Sequence, residues 1–153
     1  MNPMNRQVIH RQSGFTLLEV LIALLILSIG LLGLAALQTT GLRSNQMASM
    51  RTTATQLAYD ISDRMRANPQ AVADTTNDPY VIAHDAAAPT IVTNCETADC
   101  TPAQLATYDL ARWKTNLASA QNGLPGGLGE ITQTAVPPLV HTITVRWDQD
   151  RTG

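Results

Sequence analysis

Aromatic residues are scarce, at 4% of the 153-residue chain, with a single phenylalanine. That scarcity predicts a small core for any soluble part. No clustered basic patch is present, which argues against nucleic-acid binding. A nucleophile elbow, an H-E-x-x-H pair, a P-loop and the Rossmann glycine pattern are all missing. No catalytic residue, no enzyme activity and no cofactor are therefore expected. Only Cys95 and Cys100 could supply thiolates, whereas a zinc site needs about four ligands. His10, His84 and His141 are scattered and distant from them in sequence, so no metal is expected. The C-x4-C spacing suits a disulfide in an exported domain; two unpaired thiols in a reducing compartment are the alternative. So short a loop gains less from closure than the ~3 kcal/mol that chain entropy gives a loop of about 15 residues.

What is present is unevenly placed. Apolar residues make up 44% of the chain, and Phe15 to Leu37 is almost wholly aliphatic. As a helix that run is about 35 Å long at ~1.5 Å per residue, enough for a hydrocarbon core of about 30 Å. It is too long for the apolar part of a secretory signal, and no A-x-A-like site ends it. The first 14 residues hold Arg6 and Arg11 and no acid. The positive-inside tendency then keeps the N-terminus in the cytoplasm and exports the body, which agrees with a disulfide. Without those 14 residues, eight basic and twelve acidic residues remain, a net charge of −4.

Glu19 does not suit a simple anchor. A carboxylate in the first turns of a lipid-embedded helix costs several kcal/mol unless it has a partner. Either it sits solvated at headgroup depth, or assembly supplies the partner. A new N-terminal amine at Phe15 of a neighbouring subunit could be that partner if the chain were cut just before it.

Ser13-Gly14-Phe15-Thr16-Leu17-Leu18-Glu19-Val20, behind a basic leader and ahead of a membrane-length helix, resembles the type IV prepilin signal. The resemblance implies that prepilin peptidase cuts after Gly14 and methylates Phe15, and that Glu19 helps dock subunits. It implies residues 1–14 as leader peptide, 15–37 as the transmembrane and filament-core half of a helix, and 38–153 as a periplasmic head. The fold implied is α+β and type IV pilin-like. Its long N-terminal helix is transmembrane and then amphipathic, packed on a small antiparallel sheet with an extra short helix. Gly30, Gly33 and Gly41 interrupt the run at about 1 kcal/mol each against alanine. They are read either as close packing between helices or as a segment that partly unwinds on assembly.

Helical periodicity continues beyond the membrane through Leu42, Met50, Ala54, Leu57, Ala58, Ile61 and Met65. Asn68-Pro69 should end it, giving one helix over about 15–67. Asp60 and Arg64 read as a solvated i,i+4 pair. Leu57 to Pro69 resembles the PilV group of minor pilins, as do the Leu124-Pro125-Gly126-Gly127 turn and the Val145-Arg146-Trp147-Asp148 ending. Residues 70–100 read as loop, with short strands at Tyr80–Ala83 and Thr90–Thr93. Thr101-Pro102-Ala103-Gln104 predicts a capped helix start, with Asn122-Gly123 ending the helix and Trp113 in the core. Strands are expected at Ile131–Thr134 and Leu139–Trp147. The last strand is expected to leave an open edge, or one covered by a partner subunit.

The PilV-like resemblance implies a minor pilin of the type IV pilus, acting in assembly initiation within a tip complex. Its implied partners are prepilin peptidase, other minor pilins, the major pilin, the inner-membrane pilus assembly machinery, a large tip adhesin, and membrane lipid before assembly. Its implied location is the bacterial inner membrane, then the pilus at the cell surface, with no nucleic-acid partner. A minor pseudopilin of type II secretion shares the N-terminal signal and is the second reading. A membrane-tethered exported enzyme is the third.

Overall fold

The computed structural model describes residues 14–74, 76–119, 124–135 and 138–149. The basic leader, the Asn122-Gly123 pair and the last four residues lie outside that description. Helix α1 runs Leu17–Ala67, α2 Pro69–Val72 and α3 Pro102–Ala118; strands β1 (Leu128–Gln133) and β2 (His141–Arg146) follow. The chain divides into two compact units, Met1–Arg43 and Ser44–Gly153. The fold is α+β: a long N-terminal helix, two further helices and a two-stranded antiparallel sheet among the described residues.

α1 begins where a threonine can cap it. The Glu19 N–H donates to Thr16 Oγ1 at 3.2 Å, satisfying one of the donors that a helix start leaves over. Further along, Ser28, Thr39 and Thr40 return their hydroxyls to the carbonyls of Leu25, Ala35 and Ala36. Such back-bonding satisfies polar groups internally, as an apolar solvent requires. Gly30, Gly33 and Gly41 do not interrupt the helix, and no atom outside the local helix lies within 4 Å of where their Cβ atoms would be.

In the second unit, Met50, Ala54, Ile61 and Met65 of α1 are buried with Ala106, Leu110, Trp113 and Leu117 of α3 and Ile131 of β1. Leu42 is 70% exposed, so the core-facing stripe starts later than the periodicity suggested. Asn68 ends α1 by turning inward: its Nδ2 donates to the Pro102 carbonyl at 2.8 Å and to Tyr80 Oη at 3.2 Å. Proline cannot continue α1 but suits a first helical position, so Pro69 opens the short α2, which the loop reading of this region missed.

α3 starts as the sequence predicts. Thr101 and Gln104 form a reciprocal capping box with Pro102 behind the cap. The Cys95–Cys100 disulfide closes the loop just before it. The helix stops at Ala118, short of the expected stop at Asn122-Gly123. Ser119 leaves the helix in an extended conformation, and Gly127, just ahead of β1, approaches that end closely: a Cβ on it would lie 2.1 Å from the Leu117 carbonyl oxygen.

β1 and β2 form one antiparallel pair in which Ile131 faces Ile143. Leu124 to Gly127 is a tight turn leading into it. The Gly127 N–H donates to the Leu124 carbonyl at 3.1 Å, and Gly126 has φ of 58°. Pro at the second position and a positive-φ Gly at the third suit a type II turn. Gly129 lets β1 lie against α3, since a Cβ there would sit 2.4 Å from Trp113 Cη2.

Two expected strands are corrected. Tyr80–Ala83 contributes only a single bridge, Ile82 to Ile131. Thr90–Thr93 forms no strand; Val92 is 90% exposed, and Asn94 immediately turns the chain by accepting from Glu96, Thr97 and Ala98. Beyond that one bridge to β1, neither segment continues a ladder among the described residues.

Candidate assembly surface

The first half of α1 is an apolar surface with no cover among the described residues. Phe15 is 84% exposed and Leu37 71%. α1 is the one described helix long and apolar enough to cross a membrane, and none of its most apolar window is buried. An apolar patch of this extent marks a contact with lipid or protein. Phe15, Glu19, Ala23 and Leu27 recur every fourth residue and line one side of it. No ion pair or hydrogen bond to the Glu19 carboxylate is found among the described residues. Gly14 is exposed and has no neighbour within 4 Å of a would-be Cβ. The structure thus brings Phe15, two residues ahead of α1, and Glu19, in its first turn, to the lining of one shallow hollow. Cys95 and Cys100 are paired elsewhere, in the loop before α3. The Thr16 cap was not anticipated, although the Thr16-x-x-Glu19 spacing is the sequence signature of a capping box.

The other expected polar feature, the Asp60–Arg64 pair, is more than a solvated couple. Arg64 Nε donates to Asp60 Oδ2 at 3.0 Å, and its Nη1 reaches Asp109 Oδ1 on α3 at 3.1 Å. The Asp109 side chain is only 5% exposed. Its second oxygen accepts from the Tyr80 hydroxyl at 2.8 Å. A buried carboxylate needs this kind of satisfaction. The chain Asp60–Arg64–Asp109–Tyr80–Asn68 therefore pins the end of α1 to α3 and the connecting segment. Asp78 makes a second knot, accepting from the Tyr80 N–H, from Gln133 Nε2 and contacting His141. The two members of that last contact lie 63 residues apart, and no local pattern marks either one.

Burial, chiefly, raises the Tyr80 phenol well above its ordinary value near 10; the Asn68 donor opposes this and the neighbouring Asp109 adds to it. Because the folded value is the higher one, this contribution to stability is complete below about pH 10 and is lost as pH rises through the folded value. Alkaline unfolding followed by tyrosinate absorbance is expected to show Tyr80 ionising only with loss of the fold. Tyr80→Phe should remove that step.

An exposed apolar helix of membrane-spanning length, followed by a small, disulfide-closed α+β unit, fits a membrane-anchored, pilin-type protein. The prokaryotic N-terminal methylation motif matches residues 9–35, and the type IV pilin Tt1218 family matches residues 36–111. Together the two matches support a type IV prepilin-like protein with a type IV pilin-like α+β fold. No curated protein and no solved structure matches it. The two family matches indicate a structural rather than an enzymatic role and assembly with other pilins and the pilus machinery.

Proposed function

We propose that this chain is a minor pilin of the type IV pilus, trimmed between Gly14 and Phe15 by prepilin peptidase and methylated on Phe15. Residues 1–14 are the leader, 15–37 the membrane and filament-core half of the helix, and 38–153 the periplasmic head. The mature chain waits in the inner membrane and then joins other minor pilins and the major pilin in a tip complex that primes assembly. The observation that carries this is the hollow lined by both Phe15 and Glu19: an exposed acid, with no ion pair or hydrogen bond to its carboxylate among the described residues, in the apolar first half of α1. A neighbour's Phe15 amine would neutralise that acid and favour one register between packed helices. The match of the methylation motif across the Gly14–Phe15 bond supports the processing step. A minor role is favoured over a fibre-forming one by the PilV-like Leu57–Pro69 and Val145–Asp148 segments.

Mass spectrometry of sheared pili tests both processing and location: the mature chain should start at methylated Phe15. Glu19→Val should leave the head's thermal unfolding unchanged, because the carboxylate supports no described contact. Recovery in sheared pili should fall by more than about tenfold, the equivalent of ~1.4 kcal/mol per subunit. Normal recovery of the variant would remove Glu19 from docking.

A further inference from the structure

The phase of the β1–β2 ladder determines which backbone groups β2 shows to the outside. Ile131 exchanges both of its backbone bonds with Ile82, at 3.0 and 2.9 Å. Its N–H and C=O therefore point away from β2. Ile131 stands opposite Ile143, so that pair is the non-hydrogen-bonded kind. By alternation, Thr142, Thr144 and Arg146 bond to β1, while Ile143 and Val145 turn their N–H and C=O outward. The Thr134 N–H, which donates to the Val140 carbonyl at 3.0 Å, has the same phase. Among the described residues, nothing pairs with the outward groups of Ile143 and Val145.

Natural sheet edges are guarded by proline, lysine, bulges or inward charges. β2 reads His-Thr-Ile-Thr-Val-Arg, with no proline or lysine and a lone arginine at its end. Beside it lies an open groove of about 580 Å³, formed by Ile143, Val145 and Trp147 against Ala58, Tyr59 and neighbouring α1 residues. Tyr59 is 64% exposed. A strand added to β2 would lay every second side chain into this groove, because side chains alternate along it. Arg51 lines the same groove and belongs to no ion pair among the described residues.

We propose that the outer edge of β2 and the adjoining groove form a strand-acceptor site. Its occupant is an extended segment of another subunit, with apolar side chains at alternate positions and a carboxylate that reaches Arg51. Ile143 and Val145 supply the backbone hydrogen bonds, and the groove selects the side chains. The identity of the donor as a subunit rests on the pilin reading above; the acceptor geometry does not.

The full chain in detergent micelles can carry its own probe. A segment Asp-Val-Thr-Val-Thr-Val is attached beyond Gly153 through a Gly/Ser linker, which raises its effective concentration to about the millimolar range. Amide exchange at Ile143 and Val145 should slow by more than about tenfold in the tethered chain, an effect of ~1.4 kcal/mol. Thr142 and Thr144, already bonded to β1, should not change. Val145→Pro removes an outward N–H without removing a β1 bond, and should abolish protection at Ile143. Val145→Ala trims the side chain but keeps the N–H, and should retain it. Unchanged exchange at Ile143 and Val145, or equal protection in the two variants, would overturn the acceptor site. In cells, Val145→Ala should enter pili and Val145→Pro should not, with both heads checked by thermal unfolding. Equal entry shows that no subunit uses the edge. If the wild-type chain never enters pili, the pilin reading and the subunit donor fall, while the tethered chain still decides whether β2 accepts a strand.

Discussion

Gly14→Val is expected to leave the chain untrimmed, with the mature form starting at Phe15 reduced at least about tenfold relative to precursor, ~1.4 kcal/mol or more in effective barrier. Intact-mass measurement of the membrane fraction reads this directly. The effect cannot come from folding. Gly14 precedes α1, is exposed, and has open space where a side chain would grow. A side chain there can matter only to something that grips the backbone closely, as a peptidase does when it positions a scissile bond. The retained leader would also block the Phe15 amine, so methylation and any pairing with a neighbour's Glu19 would fail together. Efficient trimming of the valine variant would sink the assignment of the cut site.

Trp113→Ala should destabilise the head by about 3–5 kcal/mol, the usual cost of emptying a large aromatic site. Domains of this size have only about 5–15 kcal/mol in total. Trp113 is fully buried, and its Nε1 donates to the Leu57 carbonyl of α1 at 2.9 Å. Its ring also meets the backbone of β1 at Gly129. One side chain thus joins three elements of the head. Trp113→Phe keeps most of the volume and loses the hydrogen bond, worth about 0.5–1.5 kcal/mol, so it should fall between the two. Denaturant unfolding of the full chain in micelles, read through Trp147, measures the series. A loss below about 1 kcal/mol for alanine would mean that the head is not organised around this residue.

Much of the head is legible in short stretches of the chain. The Thr101-Pro102-x-Gln104 start of α3, the Pro125-Gly126 turn and the burial of Trp113 depend on local stereochemistry or hydrophobicity, and both are written in short spans of sequence. The failures have one cause. Tyr80–Ala83 and Thr90–Thr93 carry strand-like residues, yet a strand exists only if a neighbour completes its hydrogen bonds. Only Ile82 meets one. Arg64 read as half of a surface pair because its second partner, Asp109, lies 45 residues away.

The sequence by itself determined the membrane-length apolar helix, the lone acid within it and the resemblance around Gly14–Phe15. Each depends on consecutive residues and on the mismatch between charge and hydrocarbon. Only the tertiary structure decided that Phe15 and Glu19 line one hollow at the start of a helix capped by Thr16, that Arg64 is bound into the head, and that Ile143 and Val145 turn their backbone groups outward. The last of these follows from the Ile82–Ile131 bridge. Hydrogen-bond phase is set by which strand lies on which side, and no local pattern encodes it.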